Sequence, residues 1–292
     1  MTGCNSLSLE GVNAIKLAHT VYLEVYTSPI DDTLNKQIEK ITGKKIQVVT
    51  REFVEDGREI IKKSKLGTVV LISYGDPLVA TTHMDIRLRA ITEGIKTKVI
   101  HNASIISAIF GETGLHAYKF GKTVTMTRGA STLQTTVANT VFENLVRRLH
   151  TLILLEYDSS SNFFLDPSIA IDSLLSTERE LNQNIFSKNT LMIVASRVGA
   201  KNQSIICGRI SSLQRIDFGK SPHLIIVPGR LHFTEIDALQ TLLKMDEKEI
   251  LDNSSNVVRL AEGMVKKYVK KSWIALEKAK EICSHSDNKD YT

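Results

Sequence analysis

The stretch that decides the fold runs from Thr68 to Ile109, TVVLISYGDPLVATTHMDIRLRAITEGIKTKVIHNASIISAI. Its first part, Thr68–Tyr74, is a near-continuous β-branched and apolar run, as expected of a strand covered on both faces of a parallel sheet. That run leads directly into Gly75-Asp76-Pro77, a sharp turn at the carboxyl end of a parallel strand, where open α/β sheets place their ligands. Gly75 lets a ligand approach the backbone, and Pro77 suits the first turn of a helix expected over Ala80–Glu93. A second strand is expected over Thr97–His101; it ends in Asn102-Ala103-Ser104-Ile105 and opens a helix over Ser104–Phe110. Two adjacent strand ends that each present small or polar residues form one cleft, with backbone N–H and C=O groups free for a nucleotide-like ligand. Asp76 either serves that ligand or caps the helix behind it, and the pattern leaves both roles open.

Outward from this stretch, short β-branched runs alternate with helical periods, the signature of βαβ units. Further strands are expected at Lys45–Val49 and Thr123–Thr127, with helices near Ser8–Ala18, Asp31–Ile41 and Val54–Lys63. The second half reads differently: strands at His150–Tyr157, Leu191–Arg197, Ser204–Ser212 and His223–Val227 include a close succession with no long helix between, which points to antiparallel pairing. Helices are expected at Asp166–Leu175, Thr234–Leu243 and from about Ser254 to Cys283, and Glu156–Asn162 reads as an exposed loop. The fold class is therefore α/β in two parts: an N-terminal, mostly parallel sheet with helices on both faces over residues 1–128, and a C-terminal α+β unit with a mixed or antiparallel sheet over 150–246. A helix over 129–149 connects them, and 247–292 forms a last helix and tail.

The 292 residues, 42% of them apolar, suffice for one sizeable core or two modest ones. Cys4, Cys207 and Cys283 are odd in number and far apart, so they make neither a disulfide framework nor a zinc site, and read as reduced thiols of a cytoplasmic protein. No apolar run reaches the roughly 18 to 20 residues of a membrane helix, and the first residues lack the pattern of a signal peptide. The 37 basic residues are nearly balanced by 32 acidic ones, too weak a field for a nucleic-acid footprint. His83 and His101 have no companion at metal-binding spacing and are assigned helix-surface and strand-end roles, so no metal is expected. Lys266, Lys267, Lys270 and Lys271 put pairs on one helix face, either a patch for an acidic partner or a solvated surface.

The blocks GDPLVATTHMDIRLRA, KVIHNASIISAI and GLHAYKFGKTV resemble the diphthine synthase family, S-adenosylmethionine-dependent enzymes of the tetrapyrrole methylase-like superfamily. Further resemblance lies in VYLEVYTS (Val21–Ser28), HTLILLE (His150–Glu156), SRVGAKNQ (Ser196–Gln203) and PHLIIVPGRLHF (Pro222–Phe233), in the family's order. GDP alone belongs to the wider superfamily, whereas GDP-x-x-ATTH followed by HNASI is specific. The resemblance implies that Asp76 and Val79 beside the first turn, and Ser104 and Ile105 in the second, contact S-adenosylmethionine, with Leu155, Val198 and His223 closing over it from the second part. It also implies methylation of the 3-amino-3-carboxypropyl group on the modified histidine of elongation factor 2, a cytoplasmic site of action and a homodimer. No catalytic residue is assigned, because a sulfonium is already an activated methyl donor and the protein has chiefly to align the acceptor and exclude water.

The chain departs from the family pattern in two places. Family members begin with a strand ending in Gly-x-Gly-x-Gly, whereas this sequence starts just after that turn, so the first strand of the parallel sheet is expected to be missing. After Val124 the family's aromatic Phe-Trp segment is replaced by TMTRGASTLQTTVANTVFENL, a region expected to shape acceptor binding. Two alternatives therefore stand beside the leading reading: a same-fold methylase acting on a tetrapyrrole or ribosomal RNA, and a truncated, non-catalytic homologue serving as a binding or dimerisation module.

Overall fold

In the computed structural model, residues 6–27, 33–129, 131–253, 255–263, 266, 270 and 274 are described. The first half opens with α1 (Leu9–Leu17) and β1 (Thr20–Glu24), followed by α2 (Leu34–Thr42), β2 (Gln47–Val49), α3 (Arg51–Asp56), α4 (Arg58–Ser64) and β3 (Val69–Ile72). These strands form a parallel sheet in the order β2-β1-β3, with Leu23 paired to Val48 on one side and Ile72 on the other. Strand alternation divides its faces. Val21 and Leu23 pack with Ile15, Leu34 and Ile38 of α1 and α2, while Tyr22 packs on the opposite face with Val54, Ile60 and Ile61 of α3 and α4 and with Ile86. Leu34, Ile38 and Thr42 recur at i, i+4 and i+8, which gives α2 its single buried stripe.

α5 (Met84–Thr92) and α6 (Ile105–Thr113) lead to β4 (Val124–Met126) and α7 (Ser131–Val146). Then follow β5 (Thr151–Leu155), the hairpin β6–β7 (Tyr157–Asp158 and Phe163–Phe164), α8 (Pro167–Leu181), β8 (Leu191–Ser196), β9 (Ser204–Arg209), α9 (Ile210–Leu213), β10 (His223–Val227) and α10 (Phe233–Leu243). The second sheet has the order β4-β5-β10-β8-β9, antiparallel except for the β4–β5 pair. Every residue of β8 is buried: Met192 and Val194 face one core cluster with α7 and α8, whereas Leu191, Ile193 and Ala195 face another. That second cluster includes Ile109 of α6, so the helix that follows Ser104 is fastened to the second sheet by apolar burial. Residues 247–253 and 255–263 are helical.

Several expectations are corrected. Thr97–His101 has the composition of a strand but makes no ladder; residues 95–104 belong to no helix or strand. Val124–Met126, read as part of the first parallel series, joins the second sheet instead, because its register places Met126 against Leu155. The helix expected over Val54–Lys63 is two helices, broken at Gly57, whose φ of +62° ends α3 with a left-handed residue. The helix expected from Ala80 begins only at Met84, since Ala80 has a φ of +55° and 77–83 are turns; Pro77 is therefore not in its first turn. β1 was not foreseen, and it is the central strand of the first sheet. The loop expected over Glu156–Asn162 contains half of the β6–β7 hairpin. Cys4, Cys283, Lys267 and Lys271 lie outside the described residues, while Cys207 is a free, buried thiol whose pKa burial pushes up to about 12.

Candidate functional site

The Gly-Asp-Pro turn leaves the carboxyl end of β3, beside the carboxyl end of β1. Gly75 has a φ of +70°, which favours glycine, and a Cβ there would lie 3.6 Å from the Ala103 carbonyl oxygen and the Ser104 Cα. The two turns of the candidate site thus approach so closely that a side chain at Gly75 would touch the second. Asp76 joins them: its Oδ1 accepts from the Leu78 N–H at 3.0 Å, and its Oδ2 lies 2.7 Å from His101 Nδ1. Burial pushes the Asp76 carboxyl upward, but the Leu78 N–H and His101 outweigh it and hold the group below the ordinary carboxylate range. Asp76 therefore caps a local turn and braces the neighbouring segment, and α5 starts too far downstream for Asp76 to cap it.

Ser104 is the N-cap of α6, its hydroxyl accepting from the Ile106 N–H at 3.1 Å inside a capping box with Ser107. Asn102 donates from its side chain to the Ser6 carbonyl. Ile105 packs against the same apolar cluster as Val198, which connects the Asn-Ala-Ser-Ile turn to the loop after β8. Val79 follows the first turn, its N–H on the Asp76 carbonyl, and is 37% exposed.

The second-half residues gather at one end of the second sheet. Leu224 pairs with Leu154 and His223 with Ser196, so Leu155, His223 and Ser196 lie in consecutive positions across β5, β10 and β8, with Val198 two residues beyond. His223 Nδ1 lies 2.8 Å from the Ser196 hydroxyl, and burial holds its pKa below the ordinary histidine value. The structure accordingly brings Asp76 and Ser104 together in one place and Leu155 and His223 together in another, with Ile105 and Val198 in the cluster that spans the two.

The buried hydroxyls of Ser73 and Thr81, which flank the Gly-Asp-Pro turn on either side, have no hydrogen-bond partner among the described residues. Buried polar atoms seldom stay unpaired, so this turn suits a ligand carrying donors and acceptors. Such an arrangement fits S-adenosylmethionine, whose amino, carboxylate and ribose groups are polar and whose adenine ring is flat. A cavity of about 1200 Å³ lies elsewhere, between the end of α8 and the helix over 255–263. Among the described residues no cluster of three or more His, Cys, Asp or Glu is arranged for a metal ion.

Two networks escaped sequence reasoning. His83 is not on a helix surface: it is 5% exposed, with Nδ1 3.0 Å from the Pro77 carbonyl and Nε2 2.9 Å from the Tyr26 hydroxyl. Glu235 of α10 is fully buried and receives the Lys119 ammonium, the His150 Nε2–H at 3.0 Å and the backbone N–H groups of His116 and His232. Burial pushes the Glu235 carboxyl upward, but His150, Lys119 and the two N–H groups prevail and hold it far below the ordinary range. Burial likewise lowers the His150 pKa, opposed by Glu235. The His-Ala-Tyr-Lys and Leu-His-x-x-Glu segments are visible in the sequence, but their meeting across 116 positions is not.

The model of the tetrapyrrole (corrin/porphyrin) methylases matches residues 2–214. The diphthine synthase of Methanosarcina mazei is 37% identical over 253 residues, covering 85% of this chain and 94% of its own. That of Methanocaldococcus jannaschii is 37% identical over 242 residues, covering 82% and 94%. A crystal structure of a diphthine synthase superposes with a TM-score of 0.74 at 31% identity, covering 86% of this chain and 95% of that one. The chain belongs to the tetrapyrrole methylase family and, within it, to the diphthine synthases.

Proposed function

We propose that this chain transfers the methyl group of S-adenosylmethionine to the 3-amino-3-carboxypropyl-histidine of elongation factor 2. It is an S-adenosylmethionine-dependent methyltransferase of diphthamide biosynthesis. The observation that carries this reading is the match to a diphthine synthase along 94% of that protein's length. The paired turns at Asp76 and Ser104 support it, because they meet beyond the carboxyl end of β3 and the first is flanked by buried hydroxyls that have no hydrogen-bond partner among the described residues.

When bound, the cofactor supplies a methyl group on a positive sulfur, so the protein has little covalent work to do. Asp76 and Val79 on one turn and Ser104 and Ile105 on the other hold it, and Leu155, Val198 and His223 close over it and exclude water. The Asp76 carboxylate complements positive charge on the ligand. The chain works in the cytoplasm as a homodimer. Incubation of the purified chain with labelled S-adenosylmethionine and unmethylated elongation factor 2 tests the reading. Label on the modified histidine is expected, and its absence under conditions in which S-adenosylhomocysteine binds would overturn the acceptor assignment.

A further inference from the structure

Tyr26 stands two residues beyond the end of β1, and the Gly-Asp-Pro turn leaves the neighbouring parallel strand at the same end. The position of Tyr26 is fixed by the fully buried Glu24, whose carboxylate accepts from the backbone N–H groups of Tyr26 at 2.9 Å and Thr27 at 3.0 Å and from the Thr27 hydroxyl. Its hydroxyl meets His83 Nε2, whose other ring nitrogen meets the Pro77 carbonyl. A carbonyl can only accept, so Nδ1 carries a hydrogen, and in the neutral ring Nε2 is left to accept from the Tyr26 O–H. His83 is thus a buried imidazole with its open nitrogen covered by a half-buried phenol.

The pair adjoins the Gly-Asp-Pro turn and stands next to the β6–β7 hairpin. Pro77 adjoins Asp76, and the Val25 carbonyl accepts from the hydroxyl of Tyr157, the hairpin residue two beyond Leu155. The acceptor proposed above is an aliphatic amine, which is an ammonium near neutral pH and then has no lone pair to offer. Each methyl transfer also leaves a new ammonium, so a proton must depart before every round. Asp76 is unsuited to take it, because both its oxygens are engaged and its acidity is increased.

We infer that Tyr26 is the group that takes this proton, and that His83 positions it and receives the phenol's own proton in exchange. This inference rests on the proposed function. The ammonium N–H proton passes to the Tyr26 oxygen as the Tyr26 proton passes to His83 Nε2. The freed nitrogen lone pair then forms the N–C bond to the methyl carbon, the C–S bond breaks with its electron pair on sulfur, and a neutral thioether departs. The imidazolium, with Nδ1–H on the Pro77 carbonyl, returns its extra proton to the Tyr26 oxygen as the Tyr26 O–H proton passes to water after the product has left. Burial and then Glu24 raise the Tyr26 pKa, so the phenol remains protonated and acts as a relay. The groups that act on it are Glu24 on β1, Arg51 and Glu55 on α3 and the hydrogen-bonding Thr82 side chain, with the Tyr157 hydroxyl on the adjoining Val25 carbonyl.

Tyr26→Phe keeps the ring and removes only the hydroxyl, and His83→Gln keeps a hydrogen-bonding side chain that takes no proton. Using the full chain with unmethylated elongation factor 2, each variant is expected to lose about a hundredfold or more in kcat at pH 7. S-adenosylhomocysteine affinity by calorimetry should stay within about twofold of the parent, which keeps donor binding apart from proton transfer. The deficit should shrink as the pH rises past the pKa of the acceptor amine, because solvent then removes the proton. A deficit that persists at every pH, or that appears in KM with kcat intact, would overturn the relay while leaving the proposed function standing. A parent protein that binds S-adenosylhomocysteine but labels no elongation factor would overturn the function and the relay together. If His83→Gln lowers the melting temperature, Tyr26→Phe alone decides the matter.

Discussion

His150 Nε2 and Glu235 Oε1 lie 3.0 Å apart with both side chains fully buried, and the remaining ring nitrogen of His150 accepts from the Gly229 N–H at 2.8 Å. The second glutamate oxygen takes the Lys119 ammonium and the His232 N–H. This carboxylate ties together the segment after α6, the start of β5 and the N-terminus of α10, three elements distant in sequence. Its worth is best measured by removing the charge alone. Glu235→Gln leaves the Lys119 ammonium facing a neutral amide and disturbs the hydrogen bond to His150. Breaking a buried ion pair in this way typically costs about 3 to 5 kcal/mol. Urea denaturation of the variant should report a loss in that range, and a loss below about 1 kcal/mol would mean that water already screens the cluster.

The same pair sets a pH dependence. The Glu235 carboxyl is held low in the folded chain, so its contribution is present above the ordinary glutamate pKa and is lost as the pH falls through the folded value. The His150 pKa is also lowered, so below about pH 6.5 the unfolded chain takes up a proton that the folded one refuses. Both effects have the same sign. Stability should be level above about pH 7 and fall as the solution is acidified from there, and urea midpoints measured between about pH 4 and 8 check this. A flat profile across that interval would exclude a neutral, buried His150.

Much of the second sheet was legible because β8 and β10 are buried on both faces and therefore read as unbroken apolar runs. The first sheet was harder. β1 carries a fully buried Glu24, which breaks the run that would have marked it, although Thr20-Val21-Tyr22-Leu23 has strand composition. Thr97–His101 failed in the opposite sense: composition favours a strand, but a strand exists only with a partner, and the sequence does not say whether one is adjacent. The turns at Asp76 and Ser104 were legible because Gly, Asp, Asn and Ser mark turns and helix starts locally. The Asp76–His101 brace, 25 positions apart, and the Tyr26–His83 pair, 57 apart, depend on tertiary placement that no local pattern encodes.

A ligand that binds only the folded state stabilises it by mass action. S-adenosylhomocysteine at a hundred times its dissociation constant should add about 2.7 kcal/mol, visible as a melting temperature that climbs with concentration. No shift at millimolar ligand would count against the cleft as a binding site in this chain.

The homodimer is testable by mass. Light scattering at micromolar concentration should report twice the 32.5 kDa of the chain. A single species at the chain mass would remove the dimer from the proposed function without touching the methyl transfer.

The most discriminating substitution is Asp76→Asn. Its Oδ1 would continue to accept from the Leu78 N–H, since asparagine caps such turns about as well as aspartate. The new amide would face His101 Nδ1, which as a lone pair can accept where it had donated, so the brace between the two turns survives in altered polarity. The melting temperature of the ligand-free protein should therefore change little at neutral pH. What the variant lacks is the negative charge beside the cleft. Loss of one charge-assisted hydrogen bond costs roughly 1.5 to 3 kcal/mol, equivalent to about a tenfold to hundredfold weakening. Calorimetry should accordingly find S-adenosylhomocysteine bound at least about tenfold more weakly than by the parent. Unchanged affinity with unchanged stability would remove the Asp76 charge from ligand binding. A large drop in the melting temperature of the ligand-free variant would mean that the carboxylate serves chiefly to hold the Gly75 turn against Ser104.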